Sequence, residues 1–379
     1  MKASPEDTSA VKRMWFGIRG KLIIIFVLIK VIPLIGLAIL AAVEIKSLGG
    51  SVQNKYSEVA AEARQVVTTV GELATQDSIE ALDNRSREAI ERLTTDTARA
   101  VASFLYDRDR DIHLASLLPP NRESYIRFLK FRNRNVILHE AWTLREDGNG
   151  WVSSRDGGDY FSEVTARVAD NEKDFHYRRP EVEGGVIQRP LYLEMTFFDT
   201  TGQEQVKVTT SDILPAELNN ISDQTNTWCK AEDYFEQTRQ LKQGEVYVSD
   251  VIGPYVGSPV IGPFTPKKAK AAGIEFAPEK YGYAGKENPV GKRFQGLVRW
   301  VTPVFKDGVL QGYVSLALDH THIMEFTDHL IPTEERYSPI SDAASGNYAF
   351  MWDYEGRNIS HPRDYFIVGY NPESGEMQT

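Results

Sequence analysis

The hydrophobic pattern of this chain changes character along its length. From Leu22 to Val43 the residues are apolar apart from Lys30 and the ring or small residues Pro33 and Gly36. About 20 apolar residues span a bilayer core, so a membrane helix is expected over 22–45. From residue 50 to about 115 the pattern becomes amphipathic. Val52, Tyr56, Val59, Ala63, Val66, Val70, Leu73 and Ala74 recur at three- and four-residue steps, and Ile79, Leu82, Ile90, Leu93, Val101, Phe104 and Leu105 continue them less regularly. No proline interrupts this stretch, which predicts one long helix, broken once at most, ending at Leu117-Leu-Pro-Pro-Asn121. A helix of this length outside a membrane packs on a partner helix, as in a dimeric stalk, or lies along its own globular domain.

Strand patterns follow. The stretch "RPLYLEMTFFDTTGQEQVKVTT" reads as two strands joined at Asp199–Gly202, with Leu191, Leu193, Met195 and Phe197 on one face. "GEVYVSDVIG" (244–253) is a third strand, and "FQGLVRWVTPVFKDGVLQGYVSLALD" (294–319) a fourth and fifth, turning at Lys306-Asp307-Gly308. "HTHIMEFTDHL" then leaves the sheet as a helix. Tyr125, Phe128, Phe131 and Trp142 are expected in a core, whereas 145–160 and 169–185, rich in Gly, Asp and Asn, read as loops. Near the end, Phe350, Trp352 and Ile359 flank the turn Asp353-Tyr354-Glu355-Gly356, a hairpin that needs a larger sheet to join. Helical material followed by an antiparallel sheet of about five strands is an α+β pattern.

Charge adds direction. Lys2, Lys12, Arg13, Arg19 and Lys21 precede the apolar run against Glu6 and Asp7, which places the N-terminus in the cytoplasm and the bulk outside. A cleaved signal peptide would have a shorter core of about 7–15 residues, although "AILAA" offers small residues for a cut. Lys30 either snorkels toward the interface or makes a polar contact between paired helices. A net charge of −10 argues against nucleic acid as a partner. Cys229 is the one cysteine, so neither an internal disulfide nor a thiolate zinc cluster can form.

The order of these parts resembles the double Cache sensor domain, the PAS-like extracytoplasmic region of bacterial chemoreceptors, sensor histidine kinases and related receptors. The resemblance rests on "YLEMTFFDTTGQEQVKV", "GEVYVSDVIG" and "RWVTPVFKDGVLQGYVSLALDH", of which P-V-F-x-D-G-x-x-x-G-Y is the strongest match. "WDYEGRNISHP" resembles the D-x-x-G-x-x-x-x-H-P opening of the membrane-proximal module. The resemblance implies a cytoplasmic tail (1–21), a transmembrane helix (22–45), a stalk helix (46–116), a membrane-distal module (117–330) and an incomplete membrane-proximal module (331–379). It also implies homodimerisation through stalk and membrane helices. A second membrane helix, a HAMP linker and an output domain such as a kinase or phosphatase would belong to a longer receptor.

Ligands of such modules sit between the sheet and its covering loops, among aromatic walls and a few polar anchors. The candidates are Trp228, Tyr234, Tyr247, Asp250, Arg299, Trp300 and Asp319. Arg299 suits a ligand carboxylate, and Asp250 or Asp319 a ligand amine. Amino-acid-binding members carry an arginine closely followed by a Trp-Tyr pair before the third strand. "TWCKAEDYFEQ" (227–237) keeps an aromatic at Tyr234 but has no such arginine, so the ligand class stays open. His322, Glu325 and His329 share one helical face and form a weak metal candidate; no cofactor is expected. There is no G-x-S-x-G, H-E-x-x-H, P-loop or Rossmann glycine pattern, and no catalytic residue stands out. A small-solute receptor is the leading expectation. A membrane-anchored protein-interaction module and an outward-facing hydrolase are the alternatives.

Overall fold

The computed structural model describes residues 17–138, 141–153, 186–330 and 340–379, divided into two units between Glu88 and Ala89. Residues 1–16, the expected loop at 169–185 and the first residues of the segment 331–379 lie outside the described residues.

Helix α1 (Ile18–Phe26) passes through a π-helical stretch, Val27–Val31, into helix α2 (Ile32–Ser116). Pro33 has no N–H for the carbonyl four residues earlier and its ring crowds that turn. The widened stretch just before it is where a helix absorbs such a misfit. Among the described residues this is the one helix long and apolar enough to cross a membrane. The possible break in the long helix does not occur, and α2 stops where the Pro-Pro pair begins. Val52, Tyr56, Val59, Val66, Val70 and Leu73 are all exposed along it. The hydroxyls of Thr75 and Ser78 donate back to the carbonyls of Gly71 and Ala74, at 2.7 and 2.6 Å, and so need no other partner.

The second unit is built on a five-stranded antiparallel sheet of β5 (Tyr192–Phe198), β6 (Glu204–Thr209), β7 (Tyr247–Val248), β8 (Leu297–Lys306) and β9 (Val309–Asp319), in the order β6-β5-β9-β8-β7. Before it come α3 (Arg122–Lys130), β1 (Asn133–Ile137), β2 (Trp142–Leu144), β3 (Trp151–Ser153) and β4 (Val186–Pro190), with β1 paired to β4 and β2 to β3. The side chain of Asn121 caps α3 by accepting from the Ser124 amide at 2.9 Å.

Both faces of the sheet are covered. On one, Met195, Phe197, Val208, Val298, Trp300, Val314, Leu316 and Leu318 pack with Ile112 and Ala115 of α2 and with Tyr125, Phe128 and Leu129 of α3. On the other, Leu193, Leu297 and Ala317 pack with Ile252 and Tyr370, and Phe198, Val301 and Tyr313 pack with Ile221, Tyr234 and Phe235. The expected alternation of Leu191, Leu193, Met195 and Phe197 is broken by a register shift between Tyr192 and Glu194, which turns Leu193 to the opposite face. Phe131 caps the end of α3 and is 71% exposed rather than in the core. The third strand is only two residues long. Its chain continues as an isolated bridge, Ile252 to Leu297.

Helix α6 (Thr321–Asp328) follows the sheet, after the short helices α4 (Tyr234–Thr238) and α5 (Pro266–Ala271) that precede β8. The C-terminal hairpin is present as β10 (Met351–Trp352) and β11 (Asn358–Ser360), and β12 (Gly369–Tyr370) pairs with β13 (Met377–Gln378). These residues belong to the same compact unit as the five-stranded sheet. Ile367 packs with Val256, Phe294 and Met324, and Tyr370 donates its amide to Gly253 while its carbonyl accepts from Tyr255. Phe350, Trp352 and Tyr354 are exposed.

Gly312, with φ +152°, sits where the β8–β9 ladder shifts register. A Cβ there would meet the Phe198 carbonyl oxygen at 2.3 Å. Gly312→Ala is expected to cost more than about 2 kcal/mol, combining backbone strain with overpacking. Urea unfolding of the detergent-solubilised chain, followed by tryptophan fluorescence, measures it.

Candidate ligand site

Arg299 of β8 and Glu194 of β5 both lie directly across from Ala317 of the strand between them, so the small side chain lets the two long ones close over it. Arg299 donates through Nη1 to Glu194 at 2.8 Å and to Ser315 at 3.1 Å. Through Nε and Nη2 it grips both oxygens of Glu232, at 2.7 and 3.1 Å, and its guanidinium lies 4.5 Å from the centre of the Tyr234 ring. The row continues through Lys207, whose Nζ is 3.7 Å from Glu194 and 2.7 Å from Glu204. Glu204 also accepts from the Asn219 amide at 2.7 Å. All five charged side chains are buried, three carboxylates against two cations.

Burial alone would raise the Glu194 carboxyl, but Arg299 and Lys207 override it and hold the group below the usual range. Glu204 goes the other way. Burial and the neighbouring charge of Glu194 raise it despite Lys207. Burial likewise raises the Tyr234 phenol, although Arg299 opposes it.

Glu232 is delivered by an unusual turn. Cys229 and Lys230 both adopt left-handed backbone, at φ 52° and 54°. The turn brings the Trp228 amide to Glu232 at 3.0 Å and buries Cys229, whose thiol burial pushes up to about 12. Trp228 packs beside Leu193, Leu214 and Tyr370, with its indole N–H buried and unpartnered. Lys230 Nζ donates to the Glu373 carbonyl at 2.8 Å, and Gly375 packs against the Lys230 carbonyl.

The sequence candidates therefore separate. Trp228, Tyr234, Tyr247, Asp250 and Arg299 belong to the loop-covered side. Arg299, expected to hold a ligand carboxylate, is instead engaged by Glu232 and Glu194. Trp300 points to the opposite face, where its indole donates to Asp109 of α2 at 2.9 Å. Asp319 pairs with Arg189 at 2.6 Å and caps α6 through the Thr321 amide, which occupies both its oxygens.

Toward solvent, Tyr247 donates to Asp233 at 3.3 Å, and Asp250 pairs with Arg357 at 2.8 Å. Asp353 braces Arg357 from the other side at 2.6 Å. Asp233 is exposed and the Asp250 side chain is 41% exposed, so this acidic, aromatic rim meets water above the buried row. Burial raises the Tyr247 phenol, and Asp233 and Asp250 add to the rise.

The metal candidates do not converge. His322 donates from Nε2 to the Pro190 carbonyl at 2.8 Å, while His329 lies 3.1 Å from Glu325. Among the described residues no group of three or more His, Cys, Asp or Glu side chains is arranged to hold a metal. Glu194, Lys207, Glu204 and Glu232 are the functional candidates that sequence reasoning missed. A glutamate inside the apolar run Leu-Tyr-Leu-Glu-Met-Thr-Phe-Phe was the available signal, because a charge on a buried strand needs a buried partner.

No family model matches the chain, and no curated protein matches it. Solved structures do match, among them the following two. A chain described as the extracellular domain of a histidine kinase is 14% identical, with 74% of this chain and 70% of that chain covered and a TM-score of 0.34. A chain described as a domain of a sensory box/GGDEF family protein from Vibrio parahaemolyticus is 14% identical, covering 74% and 73%, with a TM-score of 0.35. Scores this low leave the function to be argued from the chain's own geometry.

Removing Arg299 leaves Glu232 buried with no cation and Glu194 with Lys207 alone at 3.7 Å, so Arg299→Ala is expected to cost about 3–5 kcal/mol. Arg299→Lys, which cannot grip Glu232 with two parallel bonds, should recover only part of that in the same urea titration.

Proposed function

We propose that this chain is the ligand-sensing part of a membrane receptor, anchored by its N-terminal apolar helix with the bulk of the chain outside the cytoplasm. The observation that carries the reading is the division of labour on β8. Arg299 reaches into the polar row under the loops, while its neighbour Trp300 holds Asp109 of α2 on the opposite face. A solute that reorganises Glu232 and Arg299 must move the strand that grips the helix. A second grip lies beside it, where Asp111 accepts from Tyr192 at 2.6 Å and from Arg132 at 2.8 Å. Signalling requires only that the solute bind one arrangement of strand and helix more tightly than the other.

The solute class that fits is an organic amine. Arg299 and Lys207 are buried and already engaged, whereas at the water-facing rim beside Tyr247 the carboxylates of Asp233, Asp250 and Asp353 outnumber the cation Arg357. The exposed apolar stripe of α2 fits a second copy of the chain, which makes a homodimer the working unit. A membrane-anchored protein-interaction module is the second reading, supported by the exposed aromatic hairpin Phe350, Trp352 and Tyr354. A hydrolase has no nucleophile nominated among the described residues.

The full chain in lipid nanodiscs should be stabilised by an amine, by roughly 2.7 kcal/mol at 100 times Kd, and Asp250→Asn should weaken that response. A screen of amines, carboxylates, sugars and purines in which no compound shifts the melting temperature would sink the sensory reading. Val70→Cys should cross-link two copies, and the ligand should change the yield. Trp300→Phe should keep the thermal shift but lose the ligand effect on cross-linking. Buried Cys229 is too weakly acidic to interfere.

A further inference from the structure

A second buried charge cluster, outside the proposed ligand site, holds the C-terminal segment. Asp364 belongs to the turn after β11, Asp328 ends α6, and Arg293 lies in the loop before β8. Arg293 donates through Nη2 to Asp328 Oδ2, and its Nε lies 3.4 Å from Asp364 Oδ2, which also accepts from the Phe294 amide. Asp328 is 2% and Asp364 0% exposed. On each carboxylate the other oxygen, Oδ1, is buried with no hydrogen-bond partner.

Among the described residues the surroundings supply no second cation. The Tyr283 ring lies 4.1 Å from the Arg293 guanidinium, and its carbonyl accepts from the Asp364 amide at 2.7 Å. His320, edge-on to Phe294 at 5.3 Å, is kept neutral by burial, which lowers it to about 4. Arg363, next to Asp364 in the chain, is turned away to Glu287 at 2.6 Å. One guanidinium, 28% exposed, thus faces two carboxylates that are themselves shut away from water. An unbalanced buried charge is strongly disfavoured, and a proton is the smallest remedy.

We propose that Asp364 carries a proton in this cluster, and that this proton locks residues 361–370 onto the sheet-bearing unit, so that acid keeps the segment docked and alkali releases it. The lock does not rest on a ligand at the acidic rim. Burial pushes the Asp364 carboxyl up to about 7; Arg293 opposes the rise and Asp328 adds to it. Undocked, the carboxyl returns to about 4. Between these values the docked state holds the extra proton, so its advantage is complete below pH about 4 and is lost as pH rises through about 7. The docked-to-undocked ratio falls by up to about tenfold per unit across that interval. Released with the segment would be Ile367, from its packing with Val256, Phe294 and Met324, and Tyr370 from Trp228 and Cys229.

Hydrogen exchange of the full chain in nanodiscs, corrected for the intrinsic pH dependence of amide exchange, tests this. Protection of amides 361–370 should fall as pH rises from 5 to 8 in the wild type. Asp364→Asn, which keeps the shape of a neutral carboxyl, should remove that fall. Asp328→Asn leaves Arg293 to Asp364 alone and should move the fall to lower pH; it decides the matter if Asp364→Asn does not fold. A flat wild-type profile, or the same fall in the wild type and both variants, would overturn the proposal.

Discussion

An arginine buried under a β-sheet must have its charge answered on the spot, and Arg299 sets that demand for the whole loop-covered face. Its partners come from β5, from β9 and from the turn after Cys229, and none is close to it in the chain. Removing Glu232 would take away the two-pronged partner of a charge held in a medium that solvates it poorly. Those loops therefore cannot be placed independently of the sheet. Glu232 must return to it, and Trp228, Tyr234 and Phe235 come with Glu232. The polar row is better understood as a constraint on uniqueness than as a source of net stability, since apolar residues of similar volume would often do as well or better.

The same demand explains the contrast between the two faces. Where α2 and α3 cover the sheet, the interior is aliphatic and aromatic, and polar groups enter only as tethers such as Trp300 to Asp109 and Tyr192 to Asp111. Where loops cover it, charges enter in quantity because short, irregular chain offers carboxylates at angles a helix would not. Helix and loops thus hold opposite sides of one strand, which is the arrangement any coupling between them needs.

Much of this was legible in the sequence, and the failures share a cause. The long helix, its stop at Ser116 and the strands of the sheet follow from periodicity and turn residues, which act locally. The bulge that reverses Leu193 leaves no local mark, because it is set by pairing with β9. Phe131 looks like core by type, but it falls on the last turn of α3, where the chain has already turned outward. Arg299 and Trp300 are ligand-site candidates by residue type, yet their partners lie 67 to 191 residues away in the chain. Asp319, His322 and His329 look like free ligand groups by type, although the Thr321 amide and Arg189, the Pro190 carbonyl and Glu325 already engage them.

The turn at Cys229 and Lys230 has a mechanical consequence. Two successive side-chain-bearing residues in left-handed backbone cost about 1–3 kcal/mol each, so the turn is a sprung element that holds its shape only under load. The load is the last hairpin, with Gly375 seated on the Lys230 carbonyl and Glu373 taking its ammonium. The far end of the chain is in effect a latch on the loop that carries Glu232, and a pull on that latch would be felt at Arg299.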